Sequence, residues 1–455
     1  MPDLLGLGTD RGYSMIGVGL SATLSGGRKA RVNLDPMPAL DLNFAANRSL
    51  PADYGPTLSF SRASTGTFFN SSGVLTSAAV NAPRFDHVYS GGSWVSRGLL
   101  VEEQRTNLCP NSDVLDNASW TKSATTISAN SVNSPDGTAN ADKVVETATT
   151  AVHSLIRFDA GIASGTYTLS AFCKYAGRKY LVVRFNDYAT DANAASVVVD
   201  LETGSITGAA TAYGTFSAAS ATVTDVGNGW YRIALKAAVS STGIGLKFSL
   251  SNDGTRDANG SANSYAGDGT SGAYVWGAQY ELGSFSTSYI PTTTSSTRSA
   301  DVCQITGSDF SGFYNQSEGA FVAEYDFIAS PSNRVSPRVW YVSDGAYTNS
   351  ISLQSGTNDS LTVYQSSSLQ ADISATAASA SVSRKSSSAY KLNDFAQSFD
   401  GGSVLTDTAG NVPSVNRMDI GYVSDISGRI LNGHISRLRY YPTRLSNATL
   451  QSLST

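Results

Sequence analysis

The chain has 455 residues, of which 41% are hydrophobic and only 15% charged, with a net charge of −5. This length supports about three ordinary domains, and so low a charge fraction leaves solubility to hydroxyls and amides. No basic run or domain-wide positive excess marks a nucleic-acid partner, and no apolar run approaches the roughly 18 residues that a membrane helix needs.

Residues 1–36 are Gly-rich and poor in large apolar side chains, and read as an extended arm, either flexible or an anchor that orders against a partner protein. They hold the only basic cluster, Gly26 to Arg31. No signal peptide is read there. Ala39 to Phe44 reads as a strand with Leu40, Leu42 and Phe44 on one face. Residues 37–106 read as a small β module or a joint that completes the sheet of a later domain. Asn70 to Gly73 and Ser90 to Ser93 supply its turns, and its small size favours the joint.

Residues 107–290 carry the clearest period-two pattern. Tyr167, Leu169, Ala171, Cys173 and Tyr175 share one face, as do Leu181, Val183 and Phe185, then Val197, Val199 and Leu201. Tyr231, Ile233 and Leu235 follow, then Ile244, Leu246, Phe248 and Leu250. Such runs between Gly, Asn, Asp and Ser turns predict an antiparallel sandwich. Residues 291–299 read as a Thr/Ser linker. Residues 300–455 read as a further unit, with strands over 320–328, 338–342, 350–354 and 361–364 and a hairpin turn at Phe399 to Gly402. Ser446 is placed to cap one short C-terminal helix, with Leu445 and Leu450 at hydrophobic-staple spacing. The fold class expected is all-β: tandem antiparallel β-sandwiches, a jelly roll and then a concanavalin A-like unit.

Three segments, Phe60–Thr67, Pro83–Asp86 and Gly98–Leu108, resemble a pattern of tailed-bacteriophage virion proteins, as does Ser288 to Thr292. Asn117–Lys122, Gly227–Arg232 and Tyr274–Glu281 are similar to jelly-roll carbohydrate-binding modules appended to glycoside hydrolases. Leu431–Leu438 and Tyr440–Ser446 resemble the close of laminin G-like, concanavalin A-like lectin domains. These resemblances imply a non-enzymatic virion protein of tail-fibre or surface-fibre type, made in the host cytoplasm. Its arm would bind other virion proteins, its sandwiches a host surface glycan, and it would be a homo-oligomer, by analogy a trimer. The alternatives are a head or tail decoration protein that binds other virion proteins, and a glycan depolymerase.

Sugar binding needs aromatic faces beside amides and carboxylates. Of the five tryptophans, Trp94, Trp120, Trp230, Trp276 and Trp340, Trp230 shares a face with Arg232 and Lys236 and is expected to face outward. Tyr188, with Asn186 and Asp187, follows a strand. These four are the candidate ligand residues. In Asn252 to Gly260, Asp253, Asp257 and Asn259 place oxygens at alternate positions, as in a calcium loop, but the closing bidentate carboxylate is absent. The jelly-roll resemblance allows a structural calcium; no cofactor is otherwise required. Hydrolysis needs two carboxylates across a cleft. Glu102 and Glu103 point to opposite faces of a strand, whereas Glu324 and Asp326 share one. The three histidines have no metal spacing, and no nucleotide or serine-hydrolase motif is present. Cys109, Cys173 and Cys303 are odd in number and far apart, which predicts buried free thiols in a reducing compartment.

Overall fold

Alternation along a strand sends every second side chain to one face, and in the middle of the chain those faces close on each other. A computed structural model describes residues 36–328, 337–355, 358–376, 382–424 and 429–455. Residues 39–455 make one compact unit. The expected arm and its basic cluster lie outside the described residues, apart from Pro36.

Between residues 121 and 282 two six-stranded antiparallel sheets face each other. One runs Ser217–Asp225, Trp230–Val239, Gly165–Ala176, Gly272–Leu282, Ala141–Glu146, Thr125–Val132. The other runs Ser205–Tyr213, Ala194–Asp200, Tyr180–Asp187, Gly243–Ser251, Ser154–Ala160, Thr121–Ser123. Leu169, Cys173, Leu181, Phe185, Val197, Leu235, Leu246 and Phe248 meet between them, as alternation predicts. Burial of each such large side chain contributes roughly 1.5–3 kcal/mol. Tyr175, near the end of its strand, is exposed.

A second sandwich encloses the first in sequence. Its seven-stranded sheet runs Ser59–Ser61, Val302–Thr306, Arg417–Ile420, Arg338–Ser343, Ser350–Gln354, Asn358–Gln365, Ser368–Thr376. Its eight-stranded sheet runs Leu405–Asp407, Phe395–Phe399, Arg384–Lys391, Glu318–Phe327, Gly433–Tyr441, Ser93–Val101, Phe85–Ser90. One edge of Gly433–Tyr441 is shared: Leu99 to Val101 pair with Gly433 to Ile435, and Leu40–Asn43 pairs with Arg437 to Tyr440. Strands from residues 40–101 therefore complete both sheets of the sandwich built mainly from residues 302–441. At its centre Phe321 stacks on Trp340 with ring centroids 4.0 Å apart.

The chain leaves this sandwich at Arg105–Asn107 and returns at Ser296–Arg298, and these two short strands pair with each other. Residues 291–299, expected as a linker, are held along their length. Ser112 N–H donates to Thr292 O, Asn111 N–H to Thr293 O, and Arg298 is buried. The reason is the charge that arrives with them. Arg84 donates to Glu102 at 2.6 Å and to Asp301 at 2.5 Å, and Arg62 donates to Asp301 at 3.0 Å. Arg298 lies 3.5 Å from Glu102. Ser288 donates to Glu102 through both its N–H and its hydroxyl. All five charged side chains are buried. Burial opposes the charge of Glu102, but Arg298, Arg84 and the Ser288 hydrogen bonds hold its carboxyl well below the usual range. Glu102 and Glu103 do face opposite ways: Glu103 is half-exposed and pairs with Arg105.

The expected C-terminal helix spans Asn447–Leu453, with the Ser446 hydroxyl accepting from Thr449 N–H at 3.2 Å. Leu445 and Leu450 are buried against Ala320, Val322 and Tyr441. Two further short helices were not expected. Phe44–Asn47 ends the first strand early because Asn43 accepts from Ala46 N–H and caps it. Gly307–Ser311 buries Phe310. The three cysteines are free and buried, as expected.

Removing one partner from a buried ion network strands the others. Glu102→Gln is expected to destabilise the protein by about 3–5 kcal/mol. Glu103→Gln, at a partly exposed pair, is expected to cost less than about 1 kcal/mol. Urea denaturation of both variants checks the contrast. Ser446→Ala is expected to cost about 0.5–2 kcal/mol in the same assay.

Candidate functional site

The core sequence of the inserted sandwich leaves each of its sheets with a second, outward face. Their fates differ. On the sheet containing Tyr180–Asp187, cross-strand register lines up three residues in one row: Phe158, Gly245 and Asn186. The next row is Ile156, Lys247 and Arg184. Gly245 shapes the first row. A Cβ there would come within 2.5 Å of the Phe158 ring and 2.7 Å of Asn186 Oδ1. Its absence lets the ring lie across the strand. Gly243 does the same for Tyr188, whose own Cβ would meet a Cβ at 2.7 Å. Tyr188 and Phe158 meet edge to face, with centroids 5.7 Å apart and planes at 86°. They remain 57% and 42% exposed, which makes the pair an open aromatic surface.

Polar groups border it. Asp191, half-exposed, pairs with Arg184 at 2.8 Å and with Lys247. Asn186, expected to meet ligand, is buried. Its Nδ2 donates to Asp187 O, while its Oδ1 has no hydrogen-bond partner. Asp187 shapes the loop by accepting from Ala189 N–H and from the Ser241 hydroxyl. Burial opposes its charge, but these bonds together hold its carboxyl below the usual range. The structure thus brings Tyr188, Asn186 and Asp187 together. Sequence reading missed Phe158, Asp191, Lys247 and Gly245. The Gly-Ile-Gly spacing at 243–245 opposite an out-of-phase Phe158 was the available signal.

Trp230 is elsewhere. It does leave the sandwich's own core, as alternation predicts, but its outward orientation into solvent is corrected by the fold. The ring is 3% exposed. Trp230 packs there in one cluster with its neighbours Phe172 and Trp276 and with Leu75 and Tyr289, and Nε1 donates to Asn133 O at 3.2 Å. Trp230 lines a cavity with Gly73, Lys174 and Asn228 instead.

The carboxylates of Asp253 and Asp257, two of the candidate calcium residues, are engaged within their own loop. Asp253 accepts from Thr255 and Ser251, and Asp257 accepts from the N–H groups of Asn259 and Ser261. Hydrogen bonds within the loop thus occupy these carboxylates, and Asp253 is held at about 2, mainly by the Thr255 bonds. Among the described residues no group of three or more His, Cys, Asp or Glu side chains could hold a metal ion.

Glu324 and Asp326, which the sequence pattern places on one strand face, are also engaged. Glu324 lies within 4.0 Å of Lys385 and Arg439. Asp326 accepts from His434 Nδ1 at 2.7 Å, while His434 Nε2 lies 3.0 Å from Asp86. Burial alone would lower the His434 pKa; the carboxylates of Asp326 and Asp86 overcome it and raise it to about 10. In turn, burial opposes the Asp326 charge, but His434 and then Arg97 hold that carboxyl below its usual range. A general acid for glycoside cleavage needs the opposite shift.

No protein-family model matches the chain, and no curated protein matches it. Solved structures give partial similarity. The CBM40 of Ruminococcus gnavus IT-sialidase bound to alpha2,6 sialyllactose aligns at 14% identity and TM-score 0.28, over 32% of this chain and 88% of that one. Domain 4 of a GH43 extracellular arabinanase from Geobacillus stearothermophilus, in complex with arabinotriose, aligns at 10% identity and TM-score 0.27, over 38% and 84%. Mouse laminin alpha1 chain domains LG4-5 align at 9% identity and TM-score 0.21, over 66% and 88%. None of them places a ligand on this chain.

The raised His434 pKa gives a pH signature. A histidine charged more readily when folded stabilises fully below its unfolded pKa of about 6.5, and that stability is lost as pH rises through about 10. The melting temperature of the wild type is expected to fall between pH 7 and 10 by about 2 °C or more beyond the fall in His434→Gln. Scanning calorimetry of both proteins checks this; parallel curves would remove the charged bridge.

Proposed function

We propose that this protein is a non-enzymatic bacteriophage virion protein, of fibre or surface-adhesin type, whose inserted sandwich binds host surface glycan. The observation that carries the glycan reading is the exposed Tyr188–Phe158 pair lying over Gly243 and Gly245. Sugar rings present C–H faces that rest on aromatic rings. Asp191 and Lys247 border the pair and suit hydroxyl groups. An open surface of this kind accepts a chain from the side, and suits extended glycans more than a single buried sugar.

Support for the virion reading comes from the segments that resemble phage proteins. Their charged residues Arg62, Arg84 and Glu102 meet in one buried network with Asp301. The resemblance therefore covers residues that act together in the fold. Weak single sites gain strength from multivalency, which fits a homotrimer on a particle surface. The engaged state of Asp326 favours binding over hydrolysis.

The full chain is expected to bind a subset of host-envelope glycans on an array. Tyr188→Ala and Phe158→Ala are each expected to weaken binding by about tenfold or more, equivalent to about 1.4 kcal/mol. Their melting temperatures are expected to stay close to the wild type, because both side chains are exposed. An array without signal would overturn the glycan reading. Absence of antibody labelling on purified particles would overturn the virion reading.

A further inference from the structure

The other sheet of the inserted sandwich also has an outward face, and cross-strand register sets Thr224, Arg232, Phe172 and Trp276 in one row across it. This face turns toward the enclosing sandwich. Between them lies a cleft of about 270 Å³, just below the roughly 300–1,000 Å³ typical of ligand sites. Its volume suits a single ring.

Two cations line it without full use of their donors. Arg232 donates through Nη2 to Ser170 Oγ at 3.0 Å and to Thr287 O at 2.7 Å. Its Nε is buried and has no hydrogen-bond partner. No carboxylate among the described residues lies within 4.0 Å of its guanidinium. Burial opposes its charge and lowers its pKa. Glu281, Glu102 and Asp86 favour its charge from beyond contact distance, so its spare donor leaves room for an anion in direct contact.

Arg97 is the second. The strand pairing slips there: Asp86 faces Gly98 and His87 faces Ser96, so Arg97 is the extra residue of a bulge. A bulge re-aims a side chain. Arg97 reaches Asp326 only at 3.6 Å, and its Nε is also buried and unpartnered. The acidic groups of the cleft are largely committed: Asp86 and Asp326 hold His434, and Glu102 belongs to the ion network. Asp225 remains exposed at the rim. It disfavours a multiply charged ligand and leaves room for a singly charged one.

The walls are aromatic and hydroxylic. Tyr89 and Trp94 pair across the bulged hairpin with centroids 5.6 Å apart, and Phe69 lies 4.9 Å from Trp94. Thr222, Thr224 and Ser286 add hydroxyls. A guanidinium fork takes a planar carboxylate in two parallel hydrogen bonds, and an aromatic wall takes a sugar ring.

We infer that this cleft is a second binding site, for a monosaccharide unit that carries a carboxylate, with Arg232 and Arg97 receiving the anion and Trp94 the ring. The site is separate from the Tyr188 surface, so either can fail without the other. Calorimetric titration of the full chain with D-glucuronate, D-galacturonate, D-glucose, D-galactose and acetate tests it. At least one uronate is expected to bind about tenfold or more tightly than its neutral counterpart and than acetate, a difference of about 1.4 kcal/mol. Arg97→Gln and Trp94→Ala are each expected to abolish that preference while keeping the wild-type circular dichroism spectrum. Tyr188→Ala is expected to retain it. No uronate binding, equal binding of neutral sugar or acetate, or a preference unchanged in Arg97→Gln would overturn the assignment.

Discussion

Five ionised side chains packed out of water hold this molecule in its arrangement. Arg62, Arg84 and Arg298 carry three positive charges, and Glu102 and Asp301 two negative ones. Taking such groups from water is expensive, and only close pairing with saturated hydrogen bonds offsets it. Here Glu102 N–H also donates to Asp301, and Asp301 N–H to the Glu102 carbonyl. The partners come from residues 62–102 and from 298–301, with Ser288 at the end of the inserted sandwich. Where the insertion begins and ends, paired strands bring Glu102 beside Asp301.

That constraint decides what becomes of the inserted sandwich's two outer faces. One is brought against residues 66–101, where Phe172, Trp230 and Trp276 meet Leu75, Phe69 and Trp94. The junction does not close completely, and the residual cleft keeps Arg232 and Arg97 without a full set of partners. The other face points away from the junction. There two glycines lower the strand beneath Phe158 and Tyr188, and the rings stay accessible. Identical alternation produced both faces; docking covered one and left the other open.

Much of the inserted sandwich was legible, because alternation is a local property. Leu169, Leu181, Val197, Ile233 and Leu246 could be assigned to one core from spacing alone, and they meet there. Ser446 could be assigned as a cap because its partner is three residues away. Trp230 shows the limit of that reading. Its departure from the core was readable, but its cover comes from residues around 75 and 133, far off in sequence. The hydrogen bonds that Asp253 and Asp257 accept within their own loop were likewise not readable from spacing. Phe158 was unreadable as a partner of Tyr188, since only pairing through Gly243–Ser251 brings the two together.

By itself the sequence determined an all-β chain, the inward face of most central strands, the C-terminal helix and the buried thiols, since each follows from residues a few positions apart. Only the tertiary structure decided that residues 40–101 complete the sandwich of residues 302–441, that 291–299 are held and not free, and that Arg62, Arg84 and Glu102 meet Arg298 and Asp301 in one buried network. Arg62 and Asp301 are 239 positions apart. Coulomb pairing and desolvation act through space, and no local pattern records which distant charge will arrive.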